Sequence, residues 1–309
     1  MTNYKFSGHE TFPLRYAWLP KAYSALKENP KAFDDEENAM VVLGVGKNMV
    51  RAIRFWVHAT YIAQSDISKG LLITNFGDAI FAGNGFDPFL EDVRTLWLIH
   101  WNLSTNMENP LFAWDYMLNR WQNIEFSRTS VLNSFFKESN RIGRDLSRVT
   151  LLQHFDVFLH TYFPTKSKKG NIQEDNLDSP LVELEMIQKI GERKIDNSGK
   201  REDVFSFRKE EKPEITPEQF VYFINDYWIK FHPNEKTLTF RDITLGHGSP
   251  GQLLKLSEHD IRRRLETLNQ DSKGIFDYRE SASIQQITKK QESHDNLLQY
   301  IYEPEVVNA

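Results

Sequence analysis

Between Lys47 and Ala59 the chain carries two stripes of residues at helical spacing, and few folds accommodate both. Val50, Ile53 and Val57 recur at i, i+3 and i+7, the spacing of a buried helix face. Lys47, Arg51, Arg54 and His58 recur at i, i+4, i+7 and i+11, and this second face is basic. Ahead of them "NPKAFDDEEN" reads as an acidic solvated connection, "NAMVVL" as the end of one helix and "GVGKN" as a glycine turn. Behind them "GLLITNFGDAIF" offers a short strand, Leu71 to Thr74, with Thr74 as the cap of a helix from Phe76 to Phe81. Helix, glycine turn, basic helix and strand in this order predict a winged helix-turn-helix, whose second helix enters the major groove of double-stranded DNA. A solvated helix face is the alternative for the same residues, since Lys and Arg belong on surfaces.

Similar patterns return further along. "SNRIGRDLSRVTLLQHFDVFLHTYF" sets Arg141, Arg144 and Arg148 around a glycine turn, with Ser147 capping an apolar helix through Tyr162. The C-terminal part reads as a helix from Thr216 with Pro217 in first position, the loop "LGHGSPG", a helix capped by Ser257, and strands at Ile275 to Tyr278 and Ile284 to Ile287. The expected fold class is therefore mainly α with small β wings, built from multiple winged helix-turn-helix-like units. A chain of 309 residues exceeds the usual size of one core, so more than one domain is expected. Residues 1–163 read as a helical N-terminal domain, 164–180 as a linker rich in Pro, Gly, Ser and charge, 181–290 as a C-terminal winged-helix-like domain, and 291–309 as an acidic tail.

Charge and cysteine content narrow the function classes. The net charge is -5, but Glu292, Asp295, Glu303 and Glu305 stand in the last 19 residues without Lys or Arg, so the rest of the chain carries only -1. Local basic patches can therefore dominate the field of the body. The absence of Cys excludes disulfides, thiolate zinc sites, a cysteine nucleophile and a sulfur carrier on this chain. No apolar run approaches the ~20 residues of a membrane span, and "MTNYKFSGHETF" lacks the basic-then-apolar order of a signal peptide. A cytoplasmic protein without membrane contact is expected.

Four groups of residues are candidates for chemistry. In "FSGHETFPLR", His9 and Glu10 pair a proton-transfer group with a carboxylate, and Arg15 can hold a phosphate. The zincin pattern is ruled out because Pro13 stands where its second His belongs, and a buried ion pair is the plain alternative. Glu91 and Asp92, with His100, suit a magnesium ion, although acidic residues in a first helical turn also satisfy the macrodipole. Glu174, Asp175 and Asp178 form a further acidic cluster near the linker. In "FRDITLGHGSPGQLLKL", Gly246, Gly248 and Gly251 let amides approach a phosphate that Arg241, His247 and Ser249 can also reach. That loop matches neither a Walker loop nor a dinucleotide pattern, and a plain turn is its alternative.

Five segments together, "FSGHETFPLRYAWLPKAY", "LGVGKNMVRAIRFWVHAT", "DPFLEDVRTLWLIHW", "EDNLDSPLVEL" and "FRDITLGHGSPGQLLKLSE", resemble the bacterial DNA-phosphorothioation-associated defence family that includes SspB, over nearly the whole chain. The resemblance implies a role in phage defence, in which sulfur replaces a non-bridging phosphate oxygen of DNA. It implies a DNA nickase acting beside a cysteine desulfurase, an ATPase and an ATP-pyrophosphatase-like sulfur-transfer subunit. A chain with neither cysteine nor an ATP-binding loop belongs at the DNA end of such a pathway.

A nickase needs a divalent metal, magnesium or manganese, or a general base, together with cations around the phosphate. On chemistry alone the catalytic expectation falls on His9, Glu10, Arg15 and His100, and the metal expectation on Glu91 and Asp92. DNA contacts are expected from Lys47, Arg51, Arg54, His58, Arg241, His247, Ser249, Arg262 and Arg263, with Arg264 extending the last run. The rival readings are a non-catalytic recognition or recruitment subunit, a regulator, and a protein-protein scaffold.

Overall fold

The computed structural model describes residues 3–164, 179–195, 199–281, 284–291 and 296–304. Its contacts divide the chain into two units: Met1–Met117 with Trp121–Arg208, and Leu118–Arg120 with Lys209–Ala309. The fold is mainly α with small antiparallel sheets.

The first unit opens with α1 (Trp18–Glu28), α2 (Glu36–Leu43) and α3 (Lys47–Ala59). Asp35 starts α2 by accepting from the amides of Glu37 and Asn38, so the acidic run expected as a connection begins a helix instead. Gly44, at φ 66°, ends α2, and Gly46 leads into α3. α3 buries Val50, Ile53, Trp56 and Val57, as its apolar spacing predicts. A hairpin follows, β1 (Ala63–Asp66) and β2 (Gly70–Ile73), antiparallel from Ala63 opposite Ile73 to Asp66 opposite Gly70. Its turn is held by Asp66 Oδ1, which accepts from the amides of Ser68 and Lys69. Gly70, at φ +98°, lies so close to the Pro30 carbonyl that no Cβ fits. Thr74 caps α4 (Asn75–Phe81).

α5 (Val93–Ser104) is buried from Thr95 through Leu103 and forms the centre of this unit's core. After α6 (Phe112–Asp115) come β3 (Glu125–Ser127), α7 (Arg128–Arg141) and α8 (Arg148–Tyr162). β4 (Ile187–Lys194) and β5 (Arg201–Phe207) then form a hairpin whose second strand pairs with β3, giving the order β3-β5-β4. Residues 181–208 thus belong to the first unit rather than to a C-terminal domain, and the division falls at Arg208. Strand pairing decides it, together with Leu181 and Leu184, which are buried, and Ser179 Oγ, which donates to the Thr161 carbonyl at 2.8 Å. Of the expected linker, residues 165–178 lie outside the described residues, and Glu174, Asp175 and Asp178 with them.

The second unit contains α9 (Pro217–Phe231), β6 (Thr237–Thr239), α10 (Phe240–Leu245), α11 (Pro250–Leu253), α12 (Glu258–Asp271), β7 (Phe276–Glu280), β8 (Gln285–Lys289) and α13 (Leu297–Tyr302). Thr216 and Gln219 form a capping box at α9, with Pro217 in first position. The sheet order is β6-β8-β7, so again the strand before the helices lies beside the last strand of the hairpin. Trp228 of α9 stacks on Phe276 of β7 at 5.6 Å. Part of the expected acidic tail is structured: Leu297 and Ile301 of α13 are buried, and this helix packs on α9. Glu292, Asp295 and Glu305 lie outside the described residues.

Candidate functional site

The basic face of α3 lies in a cleft of about 730 Å³ in the first unit. Arg51, Arg54, Phe55 and His58 line it from α3, Gln64 and Ser65 from β1, and Lys5, Ser7, Gly8, Glu108 and Asn109 from the opposite side. The segment bearing Lys5 is fixed by backbone bonds, Lys5 N–H to the Pro110 carbonyl at 2.9 Å and Phe112 N–H to the Lys5 carbonyl at 3.1 Å. Tyr4 reinforces it by donating its hydroxyl to Asp115 at 2.7 Å. Beyond Lys5 the chain makes a tight turn with Gly8 at φ +109°, Glu10 at +48° and Thr11 at +66°. A β-branched residue in the left-handed region is a strained position that surrounding structure has to hold. At Gly8 a Cβ would stand 2.9 Å from the Phe55 ring, so a glycine is needed for this turn to close on the cleft.

His9 lies buried beneath this turn. Its ring meets Phe55 edge-on at 5.6 Å and stacks on His154 at 5.3 Å, with His9 Nε2 and His154 Nδ1 3.0 Å apart. The Ala113 amide donates to His154 Nε2 at 3.0 Å, and the Thr11 amide lies 3.2 Å from His9 Nδ1. Burial pushes His9 down to about 4 and His154 well below its ordinary value, so both rings are neutral at pH 7. His9 therefore supports Phe55 from beneath rather than facing a substrate.

Charge on the α3 face is set by Glu36. Arg51 donates to it through Nε at 2.7 Å and Nη2 at 3.2 Å, and Lys47 Nζ lies 3.0 Å from its carboxylate. These bonds hold Glu36 down at about 2. Glu10 adds a negative field at Arg51, so the His9–Glu10 turn and the basic helix, separate in sequence, meet at one cleft. Among the described residues Arg54 and Lys5 are exposed and make no ion pair. His58 is half-buried and lowered by that burial, against the pull of Glu108.

A family model described as "Protein of unknown function (DUF4007)" matches residues 6–303. The chain belongs to the DUF4007 family. In structure this DUF4007 chain is similar to SspB, with a TM-score of 0.82 and 24% identity over 98% of this chain and 89% of that one. A magnesium ion-bound SspB crystal structure gives a TM-score of 0.81 and 24% identity over 96% and 87% of the two chains. At this identity the likeness establishes a shared fold. No curated protein matches the chain in sequence.

The other residues expected at a site lie elsewhere in this DUF4007 chain and are engaged in structure. Arg15 stacks over Phe12 and Trp18, with ring centroids 5.6 and 5.4 Å from its guanidinium carbon. Asp92 caps α5 by accepting from the Arg94 amide at 2.8 Å, and it also binds the Arg94 guanidinium at 2.6 to 3.0 Å. His100 is fully buried and hydrogen-bonded to the Tyr162 hydroxyl at 2.7 Å. Two helical turns separate it from Asp92, about 12 Å along the axis. Glu91 is exposed at the surface. These groups do not fit a shared metal ion, and among the described residues no three His, Asp or Glu side chains converge on one point.

In the second unit the glycine loop serves packing. A Cβ on Gly246 or Gly251 would run into the carbonyls of Asp242 or Thr244, and on Gly248, at φ +77°, into the Phe231 ring. The Gly248 amide donates to Asn119 Oδ1 at 2.8 Å, and Ser249, buried, caps α11 through Gln252 N–H at 3.3 Å. The Gly246 and Gly248 amides expected to cradle a phosphate are thus already bonded, while Arg241 and His247 stand exposed beside them. On α12, Arg262 pairs with Glu280 and stacks 4.6 Å from the Phe240 ring centroid, and Arg263 binds Asp260 at 2.8 Å. Arg264 is buried, donating to Asp260 at 3.1 Å and to the carbonyls of Ile215 and Lys212. The Asp260-to-Arg264 spacing of four, a helical ion pair, was the sequence signal for this. For Phe55 the signal was an aromatic beside Arg54 on an otherwise basic face; for Lys5 and Glu108 there was none.

Proposed function

We propose that the protein binds DNA in the cleft over α3 and serves a bacterial DNA-phosphorothioation system, where it nicks the strand for sulfur insertion. The observation that carries this reading is the cleft itself: exposed Arg54 and Lys5, with Arg51 at the same site, within an SspB-like fold. The helix, turn, basic helix and hairpin at residues 36–73 support a winged-helix unit, and the repeated strand orders β3-β5-β4 and β6-β8-β7 support two more. Nicking is hydrolysis of a phosphodiester: a water oxygen bonds to phosphorus, the bond to one sugar oxygen breaks, and that oxygen leaves with a proton. Arg54 and Lys5 would neutralise the phosphate. One SspB structure binds magnesium. Glu91, Asp92 and His100 do not fit such an ion here. The partners on this reading are a cysteine desulfurase, an ATPase and an ATP-pyrophosphatase-like subunit.

A second reading, a DNA-recognition subunit that recruits the modification machinery, is favoured by one observation. His9, His100 and Asp92 are held by separate hydrogen bonds, and Arg15 stacks on Phe12 and Trp18, instead of facing a common substrate.

Binding and cleavage are tested separately. Replacing Lys5 and Arg54 by Ala is expected to weaken DNA binding several-fold and reduce the slope of log K against log salt by about 2. An unchanged slope would remove the cleft from the DNA interface. Supercoiled plasmid incubated with magnesium, manganese or EDTA then decides the activity. Metal-dependent open circles lost in Glu10→Ala support a nickase, and intact binding without nicking supports the recruitment subunit.

A further inference from the structure

A helix that reads duplex DNA has to protrude, because it must enter a major groove about 12 Å wide. The outward face of α3 borders a cleft instead. Arg51, Arg54, Phe55 and His58 line a cleft of about 730 Å³ together with Gln64 and Ser65 of β1 and with Lys5, Ser7, Gly8 and Glu108.

The lining suits a smaller ligand. Phe55 is only partly buried, and its ring is braced edge-on by His9 at 5.6 Å and Trp56 at 5.2 Å, with the Gly8 backbone against it. A fixed aromatic ring in a cationic groove is the arrangement on which unstacked bases bind, tolerant of sequence because every base has a π-face. Arg54 and Lys5 supply positive charge for a phosphate. Glu108 has the opposite preference: a carboxylate repels phosphate but accepts from the amino groups of a base's pairing edge, which is open only when the base is unpaired. Cations, an aromatic surface and an acceptor in one cleft match the phosphate, the base face and the base's pairing edge of a single nucleotide.

We propose that the cleft takes one unpaired nucleotide, its base against Phe55 and its phosphate on Arg54 and Lys5, so that the protein engages opened or single-stranded DNA in preference to an intact duplex. The inference rests on the reading that this cleft binds DNA.

Fluorescence anisotropy of the full chain with three labelled DNAs tests it: a matched duplex, the same duplex with one unpaired nucleotide, and the single strand. Binding of the second and third at least several-fold tighter than the first is expected, with Phe55→Leu reducing that preference roughly fivefold or more. Leucine keeps the apolar volume and removes only the stacking surface. In the unaltered protein, 2-aminopurine at the unpaired position is expected to brighten on binding as it leaves its neighbours. Equal affinity for all three DNAs, a preference that survives Phe55→Leu, or unchanged 2-aminopurine emission would overturn the inference while leaving DNA binding in place. No binding to any of the three would overturn both.

Discussion

Glu36 shows how one side chain reassigns others. Lys47 and Arg51 stand on the basic stripe that helical spacing predicts, yet both end on this carboxylate, which offsets one of their two charges, while Arg54 stays exposed without an ion pair. Replacing Glu36 by Gln is expected to release both cations, tightening DNA binding several-fold at low salt and steepening the salt slope by about 1 to 2. A salt titration that superimposes on that of the unaltered protein would mean that the start of α3 stays off the DNA. The stripe was legible because 3.6-residue periodicity is local. Its pairing with Glu36 was not, since Glu36 lies 15 residues before Arg51 in a run that reads as solvated acid.

At the scale of elements, caps and buried faces account for what the metal reading had claimed. α5 is buried from Thr95 through Leu103, so its orphan N-terminal amides depend on Asp92, which accepts from Arg94. Asp92→Ala is expected to cost about 1 to 2 kcal/mol of stability, measured by denaturant unfolding, with its response to magnesium unchanged. A loss of magnesium-dependent stabilisation in the variant would restore Asp92 as a ligand. Several helices were legible from their caps: Thr74, Ser147, Thr216 and Ser257 each accept the amide bond their positions predict. The pairing of β3 with β5 was not, because it joins strands more than 70 residues apart, and it moved the domain boundary to Arg208.

At the scale of the whole molecule, the two units respond to different pH ranges. In the first, burial lowers His9 and His160 to about 4 and His154 well below its ordinary value. The unfolded chain therefore binds more protons between about 6.5 and 4, and stability falls as pH drops through that window, by up to about 1.4 kcal/mol per pH unit for each ring. In the second, burial lowers Lys255, whose Nζ donates to the Leu118 carbonyl at 2.6 Å, to about 7. Here the unfolded chain holds the extra proton between about 7 and 10.5, so this contribution rises as pH rises through that range. Urea unfolding followed across pH is expected to show an acid limb that flattens in His9→Gln and an alkaline gain that disappears in Lys255→Met. Unaltered limbs in both variants would place the titrating groups elsewhere.

Read alone, the sequence determined that the protein is mainly helical, which helix faces are buried, where helices begin, and that α3 carries basic residues outward. Each of these depends on neighbours within a turn or two of chain, so spacing and capping chemistry suffice to reveal it. The tertiary structure decided which of those charges remain available, that His9 and His100 are interior groups, that the glycine loop is packed, and that α3 lies in a cleft walled by residues 5–8 and 108–109. Those outcomes depend on long-range burial and on ion pairs between distant segments, and local periodicity carries no record of either.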